Sequence, residues 1–176
     1  MSEETFCGIV LSGSKDEPCS IAFLSEELET FSETDDERIL ELISERRPSV
    51  VAFTVPPVGA DVDEGFREDE QEMVEEGHSF LPPEMRDNDE MERALFLKNS
   101  LQREGFLHDV IECRPMITAE ILDIEGDDDL EELGVPTGEI MSMKEFEAVL
   151  AAVTAKFYAN DSFEEKDFIV PKPLDE

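Results

Sequence analysis

Thr54 stands where α/β proteins tend to place their chemistry. It follows the run Val50-Val51-Ala52-Phe53 and precedes Val55-Pro56-Pro57. Four apolar residues that end at a proline pair read as a buried strand with an abrupt stop, because proline cannot donate to a ladder. In an open α/β sheet, ligands gather outside the carboxyl end of such a strand. The other reactive side chains make weaker constellations. Ser12-Gly13-Ser14 offers hydroxyls but lacks the strand–turn–helix setting of a nucleophile elbow, and His78 and His108 are the only two histidines available as bases. His108, between Leu107 and Asp109 in a strand pattern, reads as a structural residue. Cys113 follows Glu112, whose negative charge would raise the thiol pKa and suppress the thiolate. Gly126-Asp127-Asp128-Asp129 hints at calcium, but the alternate-residue ligand spacing of an EF-hand loop is absent. Arg67 and Arg114 are scarce cations in an acidic chain. Each is a candidate clamp for a phosphate or carboxylate, with an ordinary salt bridge as the competing reading.

These residues need elements to hold them. Thr5–Ser12 and Ser20–Leu24 are apolar runs separated by a turn that contains Asp16, which predicts an antiparallel hairpin, with Glu26–Phe31 as an acidic third strand at the edge. Thr34-x-x-Glu37 has the form of a capping box, and Ile39, Leu42 and Ile43 recur at helical spacing until Pro48. The strand ending at Thr54 follows, then a loop from Val58 to Gly65, an acidic helix over Phe66–Gly77, and a turn over His78–Pro83. Asn88 is positioned to cap a helix whose inward face would carry Met91, Leu95 and Leu101. Phe106–Cys113 reads as another strand, closed by Arg114-Pro115, and Ile117–Ile124 as a short helix. The charge run Glu125–Glu132 reads as a solvated loop or a frayed turn. Ser142-x-x-Glu145 is a second capping box. Behind it Phe146, Val149, Leu150, Val153 and Phe157 form a clean helical stripe, so Met141 and Met143 read as packing residues, and Phe168–Pro171 suggests a last short strand. Hairpin, helix, strand, helix, strand, helix requires an α/β fold with a mixed sheet.

With 176 residues, the chain has the length of a single domain spanning residues 1–176, and its hydrophobic content of 40% is ordinary for a packed core. The surface is not ordinary: 47 Asp and Glu face 14 Lys and Arg, for a net charge of −33. Such a balance suits a folded protein in concentrated salt, where a Debye length of about 3 Å at 1 M screens the self-repulsion. The same field repels phosphates. Nucleic acid is therefore not an expected partner unless salt is high, and Arg46-Arg47, the one basic pair, lies at a helix end where cations offset the dipole. Cys7, Cys19 and Cys113 are widely spaced and odd in number, which points to reduced thiols. With no secretory leader pattern and no apolar run near ~20 residues, the expected location is the cytoplasm, away from membranes.

The order of several local words resembles a family of predicted nucleases with an RNase H-like fold. The words are Phe6-Cys7-Gly8-Ile9, Val51-Ala52-Phe53-Thr54-Val55-Pro56, Gly65-Phe66-Arg67, Leu81-Pro82-Pro83, Val110-Ile111-Glu112-Cys113-Arg114-Pro115, and Glu147-Ala148-Val149-Leu150-Ala151-Ala152 with Thr154-Ala155. The resemblance implies an RNase H-like mixed sheet flanked by helices, and carboxylates that hold two Mg²⁺ or Mn²⁺ for phosphodiester hydrolysis. It also implies an Asp after Gly-Ile in the first strand, a second Asp in the central strand between the apolar run and the proline, a Glu in the later strand before a proline and an Asp opening the C-terminal helix. Val10 and Thr54 stand at the first two of these positions, Glu112 matches the third, and Glu147 stands at the fourth. A hydrocarbon cannot bind a cation and a neutral hydroxyl is a poor substitute for a carboxylate. In a chain this acidic, a glutamate at any one slot is a weak match, whereas a valine at a ligand slot is informative. The expectation is a degenerate metal site, no cofactor, and a non-catalytic binding or scaffold role of salt-adapted, archaeal character. The competing reading is a divergent Mg²⁺- or Mn²⁺-dependent nuclease that uses Glu112, Glu147 and a loop carboxylate, Asp61 or Asp63, with Asp16 as a further possibility.

Overall fold

The computed structural model describes residues 4–12, 16–55, 75, 88–103, 105, 109–136, 142–165 and 168–172. The predicted helix over Phe66–Gly77 and the turn over His78–Pro83 lie outside these residues, Glu75 excepted. The predicted hairpin is β1 (Phe6–Val10) and β2 (Cys19–Leu24), paired in register from Phe6–Leu24 to Val10–Ser20. The acidic third strand forms two residues later than its composition suggested, as β3 (Leu28–Glu33) at the sheet edge. Helix α1 (Asp36–Arg46) then returns the chain to β4 (Val50–Phe53), which pairs in parallel with β1. Helix α2 (Asn88–Arg103) leads to β5 (Asp109–Glu112), which pairs in parallel with β4. The five-stranded order is β3-β2-β1-β4-β5, so the middle of the sheet belongs to β1, and β4 lies beside it.

Both faces of this sheet are covered, which explains why β1, β2 and β4 are continuous apolar runs rather than alternating ones. Cys7, Ile9, Val51 and Phe53 pack toward α1 and α2, together with Ile39, Leu42, Ala94 and Leu97. Val10 and Ala22 pack on the opposite face, against α5 (Met143–Ala159), with Ala148, Val149 and Ala152. Helix α5 crosses β1 at near backbone contact. A Cβ on Gly8 would meet the Ala148 carbonyl oxygen and come 2.5 Å from the Ala152 nitrogen, so residue 8 must be glycine. The small side chains of Ala148, Ala151 and Ala152 make the same approach possible from the helix side.

Several local expectations are corrected. The cap of α1 is Asp35, whose carboxylate accepts from the Glu37 N–H at 3.0 Å, rather than Thr34. Asn88 is the first residue of α2, and the buried stripe of that helix is Met91, Ala94, Leu97 and Leu101, with Leu95 only half-buried. The charge run is no loop: Asp127–Glu132 forms a short helix, α4, because Leu130 is fully buried and Asp129 accepts from the N–H groups of Glu125 and Gly126. Preceding it is α3 (Pro115–Leu122), with Pro115 in its first turn. Of the C-terminal capping box the Ser142 half forms, with Ser142 Oγ accepting from Glu145 N–H at 3.1 Å, while the Glu145 carboxylate accepts from Thr30 Oγ1 at 3.2 Å. A small antiparallel pair, β6 (Phe163–Glu165) and β7 (Ile169–Pro171), closes the chain, and Ile169 bridges in parallel to Cys113 beside β5.

Candidate functional site

The carboxyl ends of three parallel strands lie side by side: Ile9 of β1 is in register with Phe53 of β4, and Phe53 with Glu112 of β5. Val10 and Thr54 are the next residues along the chain. Strand alternation decides which face each side chain meets. Val10 is 7% exposed and packs on the α5 face. Phe53 and Val110 pack toward α1 and α2, and Ile111 and Cys113 toward α5, so Glu112 falls on the face opposite Val10. The four positions that the resemblance implied as a carboxylate set are thereby divided between two faces.

On the α5 side, Val10 and Glu147 line one cleft of about 430 Å³. Glu147 is placed there by the close crossing of α5 over Gly8, one residue before the contact at Ala148. The half-buried Glu147 carboxyl is pushed above its ordinary value by desolvation, with Lys144 pulling the other way. Lys144 donates to the Pro18 carbonyl at 2.8 Å and is thus held against the β1–β2 connection. Glu17 and Glu90 complete the polar part of the wall. Neither was singled out in the sequence, because only the folding of the hairpin and of α2 brings them to this end of β1. Asp16 is exposed beside Glu17 and does not line the cleft.

The other side of the strand ends is closed. Arg114 Nη2 meets Glu112 Oε2 at 2.6 Å, with the two side chains 14% and 8% exposed. Its Nη1 donates to the Cys113 carbonyl at 3.1 Å and reaches the Thr54 carbonyl at 3.4 Å, while Cζ lies 5.1 Å from the centre of the Phe168 ring. Arg114 therefore neutralises Glu112, ties the exit of β4 to that of β5, and stacks on an aromatic face. Thr54 contributes its backbone to this knot. The Cys113 thiol is pushed up to about 12, first by burial and then by Glu112, against opposing effects of Arg114 and Thr154. It is a core residue and no nucleophile at neutral pH. Cys7 and Cys19 are likewise free and buried, with pKa values raised by burial.

Arg93 was not anticipated. Its guanidinium joins Asp36 Oδ1 at 2.7 Å, the Ser12 carbonyl at 2.8 Å and the Thr34 carbonyl at 2.7 Å, fastening the exits of β1 and β3 to the start of α1. Acceptors from two segments, Ser12 after β1 and Thr34 with Asp36 after β3, leave no trace in local sequence pattern. Asp61, Asp63, Arg67, His78 and His108 lie outside the described residues.

A two-metal centre needs several oxygen ligands converging on one point. The described residues do not fit that need: no three His, Cys, Asp or Glu side chains among them are grouped to hold a metal ion. Val10 presents hydrocarbon, and Glu112 is engaged with Arg114 on the other face.

Two solved structures of Thermus thermophilus RuvC share the architecture. One, in complex with a Holliday junction substrate, matches at TM-score 0.54 and 14% identity over 96% of this chain and 99% of that chain. The second matches at TM-score 0.54 and 14% identity over 95% and 99%. No protein-family model and no curated protein sequence matches this chain. The mixed five-stranded sheet with helices on both faces, together with this likeness, defines an RNase H-like fold. Among the described residues no helix is long and apolar enough to cross a membrane.

Proposed function

We propose that this chain is an RNase H-fold protein whose metal site has degenerated and which serves as a non-catalytic binding or scaffold protein. The observation that carries the reading is Val10, a hydrocarbon packed against α5 at the end of the middle strand, where the fold's resemblance implies a metal-binding carboxylate. Two further features support it: Thr54 stands at the neighbouring strand end, and the Glu112 carboxylate is held by Arg114. The Thermus thermophilus protein was solved with a Holliday junction. A chain of net charge −33 is a poor match for such a ligand at ordinary salt, since phosphate binding draws on clustered Lys and Arg. The acidic surface instead supports a protein of the cytoplasm of a salt-adapted, archaeal cell, with unfolding expected on dilution of salt.

The competing reading, a divergent Mg²⁺- or Mn²⁺-dependent nuclease using Glu112, Glu147 and a loop carboxylate, draws on Glu147, which faces a cleft it shares with Glu17 and Glu90, whereas Glu112 is paired with Arg114 on the other face. Incubating the full chain with labelled DNA and RNA junctions, duplexes and single strands in Mg²⁺ or Mn²⁺ separates the two. The binding-protein reading expects no cleavage. Metal-dependent cleavage that Glu147→Gln abolishes would establish the nuclease.

A further inference from the structure

At the end of the sheet where β1 and β3 exit, α1 and α2 lie side by side over one sheet face, and a groove of about 660 Å³ opens between their N-terminal halves. Its floor is apolar. Phe96 is 48% exposed, the one aromatic among the exposed large hydrophobic residues described, and Leu40 lies half-buried across from it. Its rim is acidic, with Glu37 on α1 and Asp89 and Glu92 on α2. Asp35 and Asp36 also line it but are committed to the helix cap and to Arg93. None of the ion pairs among the described residues uses Glu37 or Glu92. Arg93, the only cation among the described residues of the wall, spends its guanidinium on Asp36 and two carbonyls. Past Phe96 the surface of α2 changes character: a second hollow there is lined by Asn99, Gln102 and Arg103.

We infer that this groove docks a basic amphipathic helix of a partner protein. An aromatic floor between two parallel walls suits the apolar stripe of a third helix, and the carboxylates at the rim suit Lys or Arg flanking that stripe. The change from carboxylates to Arg103 along α2 gives the partner a direction, with its more basic end over Glu37 and Glu92. A second copy of this chain is a poor occupant, since it would bring the same acidic groove and the same net charge of −33. The inference stands apart from the reading of the strand ends, because it uses neither Val10 nor Glu147.

The test uses the full chain and a fluorescent peptide of about 18 residues, Leu at helical spacing and Lys elsewhere, with a scrambled peptide of equal composition as control. Anisotropy at about 0.15 M salt should give saturable one-to-one binding of the amphipathic peptide and at least tenfold weaker binding of the scrambled one. Phe96→Ser, at a site already exposed, should weaken the amphipathic complex at least tenfold without changing net charge. Glu92→Lys should weaken it more than Glu132→Lys, which makes the same charge change on α4 across the sheet. Equal loss from the two charge reversals, or full affinity in Phe96→Ser, would show attraction by the whole acidic surface and overturn the groove. Absence of binding would overturn it too. So would a native dimer that Phe96→Ser dissociates, since the occupant would then be a second copy.

Discussion

The two sides of the strand ends make a useful contrast. At the end of β1, Val10 and Glu147 border an open acidic cleft whose floor is hydrocarbon. At the ends of β4 and β5, Glu112, Arg114 and Phe168 form a closed knot that carries its own cation. Both lie where an open α/β sheet places its chemistry. In one the carboxylates are present without a fixed central ligand; in the other the carboxylate is fixed but already neutralised. The described carboxylates at these strand ends are thus divided between two faces of an RNase H-like sheet.

The largest effect expected from breaking this contrast is at Arg114. Arg114→Ala removes the guanidinium paired with the nearly buried Glu112 and should cost about 3–5 kcal/mol in denaturant unfolding, whereas Arg114→Met combined with Glu112→Leu should recover most of the loss. Equal stability of the single and double variants would show that the pair contributes little. On the cleft side the sensitive point is Gly8. Gly8→Ala forces α5 away from β1 and should cost about 1–3 kcal/mol, with the cleft around Glu147 disturbed as well. A thermal midpoint unchanged by that substitution would mean that the helix crosses less tightly than described.

The smallest expected effect is at Glu147 and depends on pH. Its folded pKa is raised above the ordinary 4.5 by desolvation, so ionisation is penalised in the folded state. The penalty is absent below 4.5 and grows as pH rises through the elevated value. Glu147→Gln should therefore stabilise the protein at neutral pH, by less than about 1 kcal/mol for a half-solvated group, and do nothing at low pH. A stabilisation that is the same at both pH values would assign the effect to packing.

Much of this architecture is legible in the sequence. The unbroken apolar runs of β1, β2 and β4 mark strands covered on both sides, and the stripe from Phe146 to Phe157 behind Ser142 marks α5. Helix α4 was hidden because its core contact is a single residue, Leu130, in a run of carboxylates that reads as solvent-facing. The candidate site was less legible. Whether Val10 and Glu112 share a face depends on strand register, and a slip of one residue inverts the answer. Local words carry no register between strands as distant in sequence as β1 and β5. The roles of Arg93 and Glu90 were hidden for a related reason, since their partners come from segments dozens of residues away.

Calorimetric titration with Mn²⁺ tests the central claim most directly, with the native chain compared with a variant carrying both Val10→Asp and Thr54→Asp. The account predicts no binding to the native protein at millimolar metal and measurable binding to the double variant. Saturable Mn²⁺ binding by the native chain, weakened by Glu147→Gln, would contradict it.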